Sequence, residues 1–150
     1  MELTQREKIL LAVTSVTIIV ATIIVLSVLI RIPSVGRIKA VGVKFYWDEA
    51  CTREATQIDW GLLTPGGTYG VPLFCKNIKN TPVTLNLTTN NWNPSNANQY
   101  LFGDWNYTTG TVIHEGEVIP IQFQLSVSIN ITGIDHFSFD YVVGVTEHVG

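Results

Sequence analysis

The chain is predicted to form an antiparallel β-sandwich preceded by one N-terminal transmembrane α-helix. Two observations carry this prediction. Residues 9–30 contain no charged side chain, and beyond Lys39 apolar and polar side chains alternate in short runs. Seven or eight such runs in about 110 residues, separated by turn residues and lacking a helical period, are typical of two packed sheets.

The transmembrane prediction rests on the segment ILLAVTSVTIIVATIIVLSVLI at residues 9–30. A helix of this length spans about 33 Å, and the hydrocarbon core of a bilayer is about 30 Å thick. The many β-branched residues do not oppose a helix there, because in lipid the backbone must satisfy its own hydrogen bonds. We therefore expect a cytoplasmic N-terminus at 1–8, contact with the lipid bilayer through 9–30, a linker at 31–38 and the sandwich at 39–147.

The distribution of charge bears on which side of the membrane the C-terminal domain lies. Basic residues flank both ends of 9–30, so the positive-inside rule does not orient the segment. Residues 40–150 carry ten acidic and four basic side chains, a net charge near −6, whereas residues 1–39 are near +3. An acidic domain is a poor partner for nucleic acid, which is bound by neutralising its phosphates. We expect a single-pass protein of the cell membrane with its C-terminal domain extracytoplasmic.

Cleavage as a signal peptide is the alternative to a permanent signal-anchor. Ser34-Val35-Gly36 places small residues in the spacing at which a signal peptidase cuts. The apolar run is longer than the roughly 7–15 residues of a signal peptide, which favours retention. We expect the segment to remain uncleaved.

Two further features suit an extracytoplasmic domain. Cys51 and Cys75 are predicted to form a disulfide, which would close a loop of about 25 residues and stabilise the fold by roughly 3 kcal/mol. Two free thiols are the alternative, and no CxxC motif is present. Asn86, Asn106 and Asn130 lie in N-x-[ST] sequons, so we expect a glycoprotein modified at these positions.

The strands follow one another along the domain. Strict alternation predicts five of them, at 41–47, 68–77, 82–89, 117–129 and 136–143. In the first, the inward side chains would be Val41, Val43, Phe45 and Trp47, and in the fourth the odd-numbered residues from Ile119 to Ile129. Pro72 suggests an edge position for the second. Shorter runs at 58–61, 100–107 and 111–114 are expected to supply further strands.

A resemblance adds to this pattern. The series at 58–89, IDWGLLTPGGTYGVPLFCKNIKNTPVTLNLTT, is similar to immunoglobulin-like modules of the ASPM-SPD-2-Hydin kind. The residues that carry it are Trp60-Gly61, Pro65-Gly66, Asn77 and Asn80. The continuation, NNWNPSNANQYLFGDWNY, GEVIPIQFQLSVS and ITGIDHFSFDYVV, resembles small membrane-anchored archaeal proteins of unknown function. The resemblance implies an immunoglobulin-like β-sandwich and supplies no catalytic residues.

No pattern in the chain indicates catalysis, so we expect no enzyme and no cofactor. None of the three histidines accompanies a nucleophile motif such as GxSxG; they are His114, His136 and His148. Asp48-Glu49 and Asp135-His136 lie beside predicted strands, but nothing matches a calcium-binding loop. We therefore expect no metal site.

The sequence predicts a non-enzymatic, membrane-anchored extracytoplasmic module with a structural or interaction role, through self-association or a cell-surface protein partner. One alternative is a secreted filament or sheath subunit that assembles by strand complementation through IKAVGVKFYW, residues 38–47. A second is a carbohydrate-binding module. Its candidate binding residues are Trp92 and Trp105, which lie in the asparagine-rich stretch 86–107.

Overall fold

The computed structural model describes residues 4–7 and 34–149 of the chain. The predicted transmembrane segment at 9–30 lies outside the described residues. Among those that are described, no helix is long and apolar enough to cross a membrane. The chain divides into two compact units, residues 1–32 and 33–150.

The described part of the first unit is one helical turn at residues 5–7. Its start is a capping box, because the side chains of Thr4 and Glu7 each accept a hydrogen bond from the other's backbone N–H. Helix formation at this point is therefore specified locally by the spacing Thr-x-x-Glu.

In the second unit, the described residues form eight β-strands and one short 3₁₀-helix at Ser95–Gln99. The strands are β1 (Val35–Ala40), β2 (Val43–Tyr46), β3 (Gln57–Asp59), β4 (Thr68–Asn77), β5 (Val83–Asn93), β6 (Leu101–Trp105), β7 (Val118–Val127) and β8 (Ser138–Glu147). Sheet A has the order β3-β1-β8-β5 and sheet B the order β2-β4-β7-β6. The predicted all-β fold is confirmed, as two four-stranded sheets.

The core is formed by the inward faces of both sheets. Phe123 of sheet B packs edge-on against Phe45 of the same sheet and against Tyr141 of sheet A, with ring centroids 5.1 and 5.0 Å apart. The Tyr141 hydroxyl donates to the backbone oxygen of Gln124, 2.8 Å away, and so links the two sheets. Burial, with a smaller contribution from the charge of Asp104, raises the pKa of Tyr141.

The first strand differs from the sequence prediction. Residues 35–38, expected in the linker, belong to β1, and the strand expected at 41–47 begins only at β2. The chain changes sheets at Val41 and Gly42, where Gly42 adopts a φ of 95° and Val41 is 83% exposed. The alternating pattern therefore continues through two strands in different sheets, and Val41 does not face the core.

The sandwich is also not purely antiparallel, because β1 pairs in parallel with β8 while all other pairs are antiparallel among the described strands. A tight hairpin forces antiparallel pairing, but β1 and β8 are the first and last strands and are not joined by one. Their pairing is therefore set by packing rather than by a turn.

Two prolines lie inside strands that have neighbours on both sides. Pro72 is in β4, between β2 and β7, and Pro120 is in β7, between β4 and β6. Both are tolerated because the flanking strand is short: β2 pairs only with residues 74–77, and β6 only with residues 123–127. The prediction that β4 is an edge strand is thus wrong. At Pro72 itself, however, β4 has no partner on the β2 side.

The remaining differences concern strand ends. β5 continues to Asn93 through a bulge between Asn90 and Asn93, so it includes residues expected in a connection. The predicted strand at 111–114 is reduced to one bridge, between Val83 and Ile113. Ile129 lies beyond the end of β7 and is 72% exposed, and Trp47 lies beyond β2 and is 38% exposed. Periodicity identified these strands but not where they stop.

Candidate functional site

Asp140 is the single buried charged residue among those the structure describes. It lies on the outer face of sheet A, opposite Arg37 of β1 in the parallel register and Asn90 of β5 in the antiparallel one. The Arg37 Nε donates to one carboxylate oxygen at 2.8 Å, and the Asn91 amide donates to the other at 2.7 Å. Both oxygens of Asp140 are thus hydrogen-bonded, and the carboxylate joins three adjacent strands.

The bulge in β5 places Asn91 in this cluster. Asn91 has a φ of 54°, a left-handed conformation that asparagine adopts more readily than most residues. The extra residue of a bulge re-aims a side chain that regular pleating would direct elsewhere. Sequence reasoning missed Arg37, Asn91 and Asp140 because it assigned Arg37 to the linker and residues 90–99 to a connection.

The electrostatics keep Asp140 ionised. Burial raises the pKa of its carboxyl group, but hydrogen bonds from Arg37 and Asn91, with the positive charges of Arg37 and Lys39, hold the pKa below its usual value. The lowered pKa makes Asp140 a weak base, and both of its oxygens already accept hydrogen bonds from side chains of neighbouring strands. These contacts give Asp140 a structural role that links three strands.

We expect Asp140→Asn to lower the free energy of unfolding at neutral pH and to have no such effect in acid. Since the folded-state pKa is lowered, the contribution of Asp140 is present above its unfolded pKa of about 3.9 and is lost as pH falls through the folded value. At neutral pH the variant should be less stable by about 1–2 kcal/mol, and the difference should vanish in acid. Urea unfolding across pH checks this, with the exposed Glu49→Gln as control. A difference in unfolding free energy that stayed the same at all pH values would contradict the ion pair between Arg37 and Asp140.

In the loop after β2, the carboxylate of Asp48 is hydrogen-bonded to residues of the same loop. Asp48 accepts hydrogen bonds from the Thr52 hydroxyl and backbone N–H and from the Arg53 N–H. The hydrogen bonds from Thr52 and Arg53 lower the pKa of Asp48. No group of three or more His, Cys, Asp or Glu residues within the described ranges is arranged to hold a metal ion.

Both cysteines are free thiols in the structure, so the predicted disulfide between Cys51 and Cys75 is not formed in it. Cys51 lies in the loop after β2, half-buried, with a φ of 57°. Cys75 lies in β4 with no exposed surface. Burial and the proximity of Cys51 raise the pKa of the Cys75 thiol to about 12. Cys75 is therefore inert as a nucleophile while the domain is folded.

Alkylation of the native protein should therefore modify Cys51 and leave Cys75 unmodified until the chain is unfolded. Mass spectrometry before and after denaturation checks this, because each thiol adds one alkyl group. A disulfide would give a different pattern: neither residue would react without reductant, and the intact mass would be lower by two hydrogens.

The two candidate carbohydrate-binding tryptophans are half-buried and stack within the protein. The Trp92 ring is parallel to Phe139, with centroids 4.2 Å apart and an interplanar angle of 8°. Trp105 packs against Tyr107 and Phe123 at 5.3 and 5.7 Å. A sugar-binding platform needs an uncovered ring face, and one face of Trp92 is covered by Phe139. Trp92 lies on β5 of sheet A, whereas Trp105 lies on β6 of sheet B.

The three sequon asparagines, Asn86, Asn106 and Asn130, are all exposed. Asn86 lies on β5 opposite Gly144, and its amide lies across the glycine where a Cβ would be. The Asn106 amide oxygen accepts from the Gln122 N–H at 2.8 Å. Exposure is necessary for glycosylation, and modification at the three sites stays a prediction.

The histidines are separate from one another. His136 pairs with the adjacent Asp135 at 2.7 Å, and His148 contacts the Thr84 hydroxyl at 2.9 Å. The backbone N–H of His114 donates to Glu117. None of these contacts joins a histidine to a nucleophile that a third group orients, so the described residues supply no catalytic triad geometry.

An open groove of about 580 Å³ lies beside the end of β1. Its lining consists of Ile38, Lys39, Ala40, Val41, Lys79, Val142, Val143, Val145 and Glu147. Lys79 and Glu147 form an ion pair within it. The groove therefore offers apolar side chains, the ion pair between Lys79 and Glu147, and the side chain of Lys39.

Comparison of the chain with protein-family models, curated proteins and solved structures found no match.

Proposed function

We propose that the protein is a non-enzymatic, membrane-anchored module with an immunoglobulin-like β-sandwich that acts outside the cytoplasm in a structural or interaction role. The observation that carries this proposal is the position of β1. The strand begins at Val35, so four residues separate it from the uncharged segment 9–30, and the flanking Ser34 and Gly36 are buried. The predicted anchor therefore leads directly into the packed domain.

The burial of Ser34 and Gly36 also argues against removal of the N-terminal segment by a signal peptidase. Cleavage after Gly36 would cut within β1, and Gly36 lies under the core rings: a Cβ on it would be 2.8 Å from Tyr141 and 3.2 Å from Phe139. A mature chain starting at Arg37 would lose this contact and the Ser34 carbonyl that accepts from Trp60. Retention of the segment as an uncleaved signal-anchor is the form that keeps the domain whole.

Strand order supports the immunoglobulin-like assignment. The order β2-β4-β7-β6 of sheet B corresponds to strands A, B, E and D of an immunoglobulin sheet, and the neighbours β5 and β8 correspond to C and F. The place beside F, which the last strand G fills in that fold, is here filled by β1. The N-terminal strand thus takes the place of the last one, and β3 adds a further strand beside it.

The strand-complementation alternative depends on this same strand. Residues 38–47 are paired within their own chain, through β1 with β8 and β3 and through β2 with β4. Assembly by strand exchange would require β1 to leave β8 and break the bond between Arg37 and Asp140. The anchored module needs no such rearrangement, so we prefer it.

Alkaline carbonate extraction of membranes from cells that produce the full chain tests the proposal. The expected result is a full-length chain, with a polypeptide mass of 16.6 kDa, that stays in the membrane pellet and retains its N-terminal residues by mass spectrometry. A soluble chain that begins at Arg37 would contradict the anchor and favour the secreted subunit.

A further inference from the structure

The first and last strands of the domain lie side by side and run in the same direction. β1 and β8 pair in parallel over six positions, from Val35 opposite Ser138 to Ala40 opposite Val143. β8 has ten residues and continues to Glu147, so its far end lies about 30 Å from Val35 along the strand direction. The chain therefore enters β1 at one end of the sandwich and leaves β8 at the other.

This arrangement decides how the domain responds to tension between its two ends. Pulling on residues 34 and 149 slides β1 and β8 past each other, so the hydrogen bonds between the two strands carry the load together. Pulling on the starts of both strands would instead break one bond after another, beginning with the bond from the Val35 N–H to the Phe137 oxygen at 3.1 Å. A step that breaks several bonds at once has a higher barrier, and forced unfolding follows the unfolding rate.

The hydrogen-bonded cluster around Asp140 lies within this loaded pairing. Arg37 and Asp140 are opposite each other in the register of β1 and β8, and the Arg37 Nε donates to the carboxylate at 2.8 Å. The Asn91 amide of β5 donates to the other carboxylate oxygen at 2.7 Å. Tension on β1 is thus passed to β8 and β5, and sliding of β1 along β8 would separate Arg37 from Asp140 at the start of the movement.

Gly36 blocks the same movement sterically. A Cβ at this position would be 2.8 Å from the Tyr141 ring and 3.2 Å from the Phe139 ring. Side chains on one face of a strand recur every two residues. A slip of β1 toward its N-terminus that kept its inward face would therefore bring Ile38 to the position of Gly36, where its Cβ would collide with Tyr141. β1 cannot slip to this new register and must detach from β8 as a unit.

We propose that β1 and β8 form a mechanical clamp, through which the domain carries tension between its membrane anchor and a partner held at the opposite end of the sandwich. The inference deepens the structural role proposed above, and it rests on the proposed anchor at residues 9–30 as the source of the tension. The N-terminal segment passes its load to the domain through the backbone at Ser34, directly before β1. The strength of the clamp is a property of the described domain and can be measured without the partner.

Single-molecule force measurements on the full chain in detergent micelles test the clamp. In a Cys51→Ser background, DNA handles are attached at Thr4→Cys and Val149→Cys, which loads β1 and β8 in shear. The matched control moves the second handle to Asp135→Cys, just before the start of β8, which peels the two strands apart. The three handle positions are exposed, and the remaining thiol, Cys75, is buried.

The unfolding force is expected to be several times higher between positions 4 and 149 than between positions 4 and 135. The two proteins differ only in the position of one handle, so the difference reports the direction of the load. Equal forces would overturn the inference and leave the anchor standing. A soluble, shortened chain in the carbonate extraction would overturn the anchor, and with it the tension-bearing role, even where the two forces differ.

Asp140→Asn tests whether the ion pair belongs to the clamp. This variant should lower the unfolding force more in the shear geometry than in the peeling geometry, because only in shear is the ion pair loaded together with the strand hydrogen bonds. Lys44→Gln is the control, since it removes the ion pair with Glu54 at 3.8 Å, which lies outside the pairing of β1 with β8, and it should leave the shear force unchanged. An equal decrease for Asp140→Asn in both geometries would overturn the assignment of Asp140 to the clamp.

Discussion

Gly103→Val is expected to lower the free energy of unfolding by about 3 kcal/mol or to prevent folding. A Cβ at Gly103 would be 2.8 Å from Tyr141 and 3.0 Å from Phe139. The Tyr141 ring cannot move aside, because Gly36 lies against its other edge at a potential Cβ distance of 2.8 Å and its hydroxyl is bonded to Gln124. Urea unfolding followed by tryptophan fluorescence measures the effect.

Phe102→Val is the matched control for this substitution. Phe102 precedes Gly103 in β6 but is 62% exposed, so its truncation should change the stability by no more than about 0.5 kcal/mol. Combining Gly103→Val with Tyr141→Leu should recover part of the loss, because the collision is with the tyrosine ring. If the Gly103 and Phe102 variants were equally stable, the placement of Tyr141 across the core would be wrong.

Asn77→Ala is expected to cost about 2–3 kcal/mol. Asn77 is 1% exposed, and its amide donates to the carbonyl oxygens of Thr81, Ile113 and His114 at 2.8, 3.0 and 3.2 Å. Its side-chain oxygen accepts from the Lys79 N–H at 2.9 Å. Removing the amide takes this partner from the Thr81 oxygen and the Lys79 N–H, while the Ile113 and His114 oxygens keep the backbone N–H groups of Val83 and Glu117. It also removes the hydrogen bonds by which Asn77 holds the two loops together. Thermal unfolding monitored by circular dichroism measures the loss.

Asn80→Ala is the control, since Asn80 lies in the same turn and is exposed, and its loss should leave the stability within about 0.5 kcal/mol. Asn77→Asp separates the amide's role as a donor from its size. A carboxylate cannot donate to three carbonyls, so this variant should be at least as unstable as the alanine variant. A stable Asn77→Asp protein would contradict the role of the Asn77 amide as a hydrogen-bond donor to these carbonyls.

The strands with the clearest alternation could be predicted from sequence alone. β4 occupies the predicted residues 68–77. In β8 the buried side chains Phe139, Tyr141 and Val143 are predicted ones, and so is Phe137 directly before the strand. This success has a simple cause: in a half-buried strand successive side chains face opposite sides, so the burial pattern is already present in the order of residues.

Features that depend on distant residues could not be predicted. β1 is short and contains Gly36, and its pairing with β8 joins residues about one hundred positions apart. The burial of Asp140 on an outer face follows from that pairing and from the bulge at Asn91, neither of which leaves a periodic signal. The exposure of Ile129 was likewise hidden, because Ile129 continues the alternation of β7 past the end of the strand.

The central claim, an anchored domain outside the cytoplasm, is tested most directly by labelling intact cells with a membrane-impermeant maleimide. Thr109→Cys and Thr4→Cys, each in a Cys51→Ser background, place one accessible thiol on an exposed residue of the domain or of the N-terminus. We predict that position 109 is labelled on intact cells and position 4 only after lysis. Labelling of position 109 only after lysis would contradict the claim.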